Sequence, residues 1–153
     1  MLKDILNTQI GEVAYLYGKD LAASSDDIMS SKTGSARCAC EFTAEAAGFN
    51  MLAAKLITGQ EVEPMTEEQR ANMYAGFDTK DKAAAFFDQS IETLKGAVDS
   101  CSEEDLAKPV TAPWGDTMPA HKMVMTAVWH TMYHDGQLNL LQLQHGDDKV
   151  HWM

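Results

Sequence analysis

Apolar side chains recur every three or four residues in four long segments of the chain, which is the spacing of one face of an α-helix. No stretch alternates Val, Ile or Thr with polar residues as a half-buried strand does. The pattern therefore predicts an all-α fold. The four predicted helices run from about Lys3 to Tyr17 or on toward Met29, from Ala36 to Thr58, from Thr79 or Asp81 to Ser100, and from Pro119 to Gln144.

The same periodicity predicts which side chains face the core, because positions three and four apart lie on one side of a helix. The predicted core positions of the first three helices are Leu2, Ile5, Leu6, Ile10, Val13 and Leu16, then Phe42, Ala46, Phe49, Leu52, Ala53 and Leu56, then Ala84, Phe87, Ile91, Leu94 and Val98. Four amphipathic helices of this length are typical of a four-helix bundle, whose metal and ligand sites are built from facing side chains.

The connections between the predicted helices carry turn chemistry. Gly59 and Gly146 follow the second and fourth helices, where a left-handed glycine commonly ends a helix. The polar segment 60–80 predicts one short extra helix with Thr66 as its cap. The segment 101–118 holds two prolines and a glycine, and we expect it to be the longest irregular part of the chain.

Composition is that of one globular domain comprising residues 1–153, with 45% hydrophobic and 23% charged residues. No apolar run approaches the roughly 18 residues of a membrane span, and the N-terminal segment lacks the basic start and apolar centre of a signal peptide. We therefore expect a cytoplasmic protein with no membrane partner. The formal net charge of -11 repels phosphate backbones, so no nucleic-acid partner is expected either.

The three cysteines do not predict a disulfide framework. Cys38, Cys40 and Cys101 are odd in number and lack the C-x-x-C spacing of many zinc sites. We expect them to be small buried hydrophobic residues.

The strongest chemical signal is a pair of histidines in the fourth predicted helix. His130 and His134 are four residues apart, so both imidazoles lie on one face and can reach a single metal ion. They share that face with apolar residues, which points them into the bundle. Each histidine can instead be satisfied by a backbone carbonyl or a neighbouring side chain. For two together we favour a metal, because coordination removes the desolvation cost of two unpaired imidazoles.

A metal site needs at least one further ligand. The other histidines are poor candidates, since His121 is more than two turns away, His145 lies at the helix end and His151 is in the tail. The second helix offers Glu41 and Glu45 in a small, apolar neighbourhood. Glu45 lies beside the predicted inward face, although both glutamates can also be ordinary solvent-facing residues.

Several short segments of the sequence resemble those of a known family. Pro113-Trp114-Gly115, then Thr117-Met118-Pro119, then H-x-x-x-H-D-G-Q-L-N from His130 to Asn139, and a closing Gln144-His145-Gly146-Asp147 are similar to the DinB/YfiT-like superfamily. Phe49-Asn50 and Leu56-Ile57-Thr58-Gly59 support the resemblance more weakly. It implies a four-helix bundle, commonly a homodimer, with a divalent metal held by three histidines, two of them in the H-x-x-x-H of the last long helix.

The sequence departs from that pattern because its second helix contains no histidine. Glu45, five residues before Asn50, falls roughly where the family's ligand on that helix lies. A set of His130, His134 and Glu45 would leave open positions for water or substrate, as catalytic metals require. The alternative is a family member that has lost its metal.

Two functions follow from these observations, and no catalytic residue is assigned for either. The first is a metal-dependent enzyme in which Zn, Ni or Fe(II) acidifies a bound water or thiol. The resemblance implies thiol-dependent transferase, hydrolase or isomerase chemistry on a small-molecule substrate, with a low-molecular-weight thiol as partner. The second is a non-catalytic helical bundle that binds a small ligand or a partner during stress.

Overall fold

The computed structural model describes the backbone of residues 1–153 and every side chain except those of residues 70 and 71. Along this described chain, seven helices and one antiparallel hairpin follow one another. The elements are α1 (Leu2–Ala23), α2 (Asp26–Ser30), α3 (Ala39–Ile57), α4 (Glu67–Asn72), α5 (Lys80–Ser100), α6 (Glu103–Ala107), β1 (Pro109–Thr111), β2 (Thr117–Pro119) and α7 (Ala120–Gln144).

The four long helices α1, α3, α5 and α7 form the bundle, which confirms the predicted all-α, four-helix-bundle architecture. Helices α1 and α3 each pack against both α5 and α7, so α1 and α3 lie diagonally opposite one another. Tyr17 of α1 crosses the middle of the bundle. Its hydroxyl lies 2.6 Å from that of Thr43, and its ring meets the edge of Phe87 with 4.8 Å between ring centroids. One fully buried side chain thus links three of the four helices.

Helix boundaries differ from the prediction where serine and cysteine leave the helical conformation. A continuous first helix toward Met29 does not form, because Ser24 is extended and the Ser25 side chain caps a separate helix, α2. Helix α3 begins at Ala39 rather than Ala36. The backbone N–H of Cys38, its N-cap residue, donates to Glu41 Oε2 at 2.9 Å.

The connection between α3 and α5 contains the expected short helix, α4. Thr66 caps it, since the Thr66 hydroxyl accepts from the N–H of Gln69 at 3.1 Å. Gly59 and Gly146 have φ of 72° and 84°, as expected of glycines that end helices.

The expectation that segment 101–118 is irregular is wrong. It holds α6, which starts at a reciprocal Ser102–Asp105 capping box, and strand β1, which pairs with β2 through Val110 and Met118. Three-residue strands are too short to show alternation in the sequence.

The predicted core positions are buried or half-buried with one exception. Ile5 is 52% exposed, because adjacent helix residues point in different directions and Leu6 is the one that faces the core. All three cysteines are buried and free, as expected. Within the described residues, the structure contains no helix both long and apolar enough to cross a membrane.

Candidate metal centre

Helix α7 places two imidazoles face to edge inside the bundle. His130 and His134 are one turn apart, and their Nε2 atoms lie 3.3 Å from each other. His134 is fully buried and His130 is half-buried. The two rings are nearly perpendicular, with centroids 4.6 Å apart. Both histidines therefore present the same ring nitrogen to one point.

Helix α3 supplies the carboxylate that meets them. Glu45 Oε2 lies 3.3 Å from His134 Nε2, and one ligand atom from each of Glu45, His130 and His134 lies within 4.8 Å of the others. The carboxylate comes from the helix packed against α7, so the bundle itself determines this convergence. Among the described residues, Glu45, His130 and His134 are the group of three metal-binding side chains close enough together to hold an ion.

The spacing of these atoms suits a small divalent cation. Ligands about 2.0–2.1 Å from a tetrahedral ion lie about 3.3–3.4 Å apart. The His130–His134 and His134–Glu45 separations, both 3.3 Å, match that value. Side chains of these types, two imidazoles and a carboxylate, could hold such an ion.

A hydrogen bond on the far side of His134 determines which ring nitrogen is available. His134 Nδ1 lies 2.7 Å from Gln137 Oε1, and Gln137 Nε2 donates to the Tyr133 hydroxyl at 3.0 Å. Because a carbonyl oxygen only accepts, His134 Nδ1 carries the proton, and in the neutral ring Nε2 presents a lone pair. This is the arrangement that orients histidine ligands in metal sites.

The electrostatics keep His130 neutral and Glu45 charged at neutral pH. Burial, and then the neighbouring His134, lower the pKa of His130 to about 4. Burial would raise the pKa of Glu45, but a hydrogen bond from the protonated form of His134 and the guanidinium of Arg37 outweigh it and lower that pKa to about 2. His130 Nδ1 has no hydrogen-bond partner among the described residues. The cluster is thus rich in lone pairs.

Aromatic rings enclose the cluster. Phe42 lies parallel to the His134 ring with 5.4 Å between centroids, and Phe49 lies 4.7 Å from the His130 ring. Trp114, in the turn between β1 and β2, stacks on Phe49 with 5.8 Å between ring centroids. The hairpin that the sequence pattern missed therefore helps to cover the site.

The remaining candidate residues lie elsewhere. Glu41 forms an ion pair with Lys32 at 2.9 Å and accepts from the Cys38 N–H, so it is engaged at the start of α3. The imidazoles of His121 and His145 bond to backbone carbonyls, and that of His151 pairs with an aspartate in the C-terminal tail.

Asp135, the residue after His134, takes part in a different contact. Burial and the nearby Asp20 of α1 raise the pKa of Asp135 to about 7. Asn139 donates to Asp20 Oδ2 at 2.9 Å, which helps to anchor α7 to α1. Asp135 does not belong to the converging ligand group.

Sequence reasoning missed Arg37, whose guanidinium pairs with Glu45 Oε2, and the role of Gln137. The spacing of the sequence could have indicated Gln137, since it lies three residues after His134 and so shares its helix face. No sequence pattern indicates Arg37, because it lies before α3 and the course of the backbone there decides whether it reaches Glu45.

The sequence model of one protein family, the DinB superfamily, matches residues 41–138. These are well over half of the 153 residues, so the protein belongs to the DinB superfamily. The match includes all three members of the converging group.

The fold is also similar to two solved structures of the mycothiol-dependent maleylpyruvate isomerase, one of them of a histidine-to-alanine mutant. Each comparison gives a TM-score of 0.75 at 17% sequence identity and covers 89% of this chain. The aligned part is 60% of that enzyme's chain, so the likeness concerns the fold and not the whole enzyme. No curated protein matches the sequence.

Proposed function

We propose that the protein is a metal-dependent enzyme in which His130, His134 and Glu45 hold one divalent ion. The observation that supports this most is the convergence of three lone-pair atoms within 4.8 Å, with His134 held by Gln137 in the tautomer that leaves Nε2 free. Zn, Ni or Fe(II) suits two imidazoles and a carboxylate. When bound, such an ion would lower the pKa of a thiol or water molecule attached to it.

The residues of this chain have separate tasks in that proposal. His130 and His134 bind the ion through Nε2 as neutral ligands. Glu45 adds one negative charge, which leaves the ion electrophilic enough to acidify what binds beside it. Phe42 and Phe49 lie against the two imidazoles and exclude water from that side of the site.

For the reaction, we propose thiol-dependent transferase, hydrolase or isomerase chemistry on a small molecule. Membership of the DinB superfamily supports an enzyme of this kind, and so does the fold shared with an isomerase that depends on mycothiol. A low-molecular-weight thiol would then bind next to the histidines.

One observation favours a second candidate, a non-catalytic bundle that binds a small ligand or partner. Arg37 already neutralises Glu45 inside the protein, and the two imidazoles lie within hydrogen-bond distance of each other. A family member that had lost its metal would retain these contacts.

Elemental analysis of protein purified without added metal tests the proposal. We expect close to one equivalent of Zn, Ni or Fe per chain, or the uptake of one equivalent when metal is supplied. A protein that contains no metal and takes up none of the three would contradict the enzyme proposal and favour the second candidate.

A further inference from the structure

The carboxylate of Glu45 has two partners from outside its own helix, and both meet the same oxygen atom. Glu45 Oε2 lies 3.3 Å from His134 Nε2, and it also forms an ion pair with the guanidinium of Arg37. This oxygen is buried from solvent. The atom that faces the histidines is therefore the atom that the arginine already engages.

Arg37 lies outside the helices of the bundle, and it has room to move. It belongs to the non-helical segment before α3, and its side chain is 47% exposed. It also lines a cleft of about 400 Å³ between that segment and the C-terminal half of α7. The guanidinium can therefore leave Glu45 for solvent without any rearrangement of the buried core.

The charges set Arg37 against a metal ion at this place. A divalent ion held by one carboxylate and two neutral imidazoles keeps a surplus of positive charge, and the guanidinium adds more positive charge beside it. The two cations would then repel each other across a single carboxylate. Lys32, the other cation of the segment before α3, pairs with Glu41 at 2.9 Å and does not share Glu45.

We propose that Arg37 competes with the metal ion for Glu45 and has to release Oε2 before the carboxylate can bind the ion. The inference rests on the proposed function. Arg37 lowers the affinity of the site for metal, because every ion that binds has to break an ion pair. The same contact gives a half-buried carboxylate a partner until an ion arrives, which avoids the cost of an unpaired charge.

The affinity for Zn, measured at one pH and one ionic strength, tests this inference. The protein is first freed of metal, and Zn is then titrated in competition with a chromophoric chelator of known affinity. We expect Arg37→Gln to bind Zn about tenfold more tightly than the wild type, because no charge-assisted contact then has to be broken. A substitution that merely disturbed the fold would weaken binding instead.

Two further comparisons show whether the effect passes through Glu45. Lys32→Gln removes a cation of the same segment that pairs with Glu41, and it should bind Zn within about twofold of the wild type. In a Glu45→Gln background, Arg37→Gln should change the Kd by less than about twofold, because no carboxylate remains to compete for. This double-mutant cycle separates competition for Glu45 from repulsion between two cations.

The contradicting outcomes are distinct. Equal or weaker binding by Arg37→Gln, with one ion bound by the wild type, would overturn the inference and leave the proposed function intact. The same gain in Lys32→Gln or in the Glu45→Gln background would also overturn it, since the effect would then be one of charge alone. If neither the wild type nor Arg37→Gln binds Zn, the proposed function fails together with the inference.

Discussion

Gln137 Oε1 accepts a hydrogen bond from His134 Nδ1 at 2.7 Å, and this contact directs the opposite ring nitrogen of His134 toward Glu45 and His130. The glutamine amide is itself oriented by its bond to the Tyr133 hydroxyl. The ring orientation therefore depends on a side chain that does not belong to the proposed ligand set.

We predict that Gln137→Ala weakens divalent metal binding about 10- to 100-fold, the usual effect of losing a partner behind a histidine ligand. Gln137→Glu keeps an acceptor for His134 Nδ1 and should bind metal with close to wild-type affinity. Gln144→Ala, on the exposed side of the same helix, is the control. Equal affinities for wild type and Gln137→Ala in a metal titration would show that Gln137 does not position the ring.

Metal should also stabilise the folded state, because the three ligands come from two helices that separate on unfolding. A metal at a hundredfold excess over Kd adds about 2.7 kcal/mol to the free energy of unfolding. For a domain of this size, that corresponds to a rise in Tm of roughly 5–10 °C. His134→Ala should abolish the rise. A wild-type Tm that is the same after chelation and after addition of Zn or Ni would contradict this prediction.

Much of this structure follows from local sequence signals. The spacing of Leu6, Ile10 and Val13 determines a helix face whatever its surroundings, and the i, i+4 spacing of His130 and His134 places two imidazoles together on any helix. The proposal of Glu45 as a ligand required two further steps, its position beside the inward face of the second helix and its resemblance to the place of the family's ligand on that helix. Its distance from His134 depends on how α3 and α7 pack.

Other features depend on contacts between distant parts of the chain. The stacking of Trp114 on Phe49 arises only when separate segments come together, so no periodicity reveals it. The Arg37–Glu45 pair is closer in sequence, but it depends on the path of the non-helical segment before α3. The β1–β2 hairpin is too short for alternation to appear, and it is stabilised by the two neighbouring threonines Thr111 and Thr117, whose hydroxyls lie 3.0 Å apart.

The cysteines give a prediction about pH. Burial raises the pKa of the Cys40 thiol to about 11, above the roughly 8.5 of an unfolded cysteine. The folded state therefore retains the proton more strongly. The contribution of the buried Cys40 thiol to the free energy of unfolding is therefore complete below about pH 8.5 and is lost as the pH rises toward 11.

Relative to Cys40→Ala, the free energy of unfolding of the wild type should fall by up to about 1.4 kcal/mol per pH unit across that window. Denaturant titrations of both proteins at several alkaline pH values measure the difference. Parallel pH dependence in the two proteins would mean that Cys40 ionises as readily in the folded protein as in the unfolded chain.

We predict a homodimer that packs through α7. Trp129 and Tyr133 are 55% and 60% exposed, and Leu140 and Leu143 continue the exposed apolar surface along the same helix. Burying them against a second copy removes that surface from water. Light scattering should give twice the mass of the chain at micromolar concentration, and Trp129→Lys should reduce it to the monomer mass. A wild-type protein that is monomeric at these concentrations would contradict the prediction.

Calorimetric titration of metal-free protein with Ni or Zn measures whether Glu45 completes a metal site with His130 and His134. The matched variants are Glu45→Gln and Glu41→Gln, since glutamine still suits the capping position of residue 41. We expect one ion per chain for the wild type, an unchanged Kd for Glu41→Gln, and binding at least tenfold weaker for Glu45→Gln. Weakened binding by Glu41→Gln alone, or unchanged binding by both variants, would contradict this expectation.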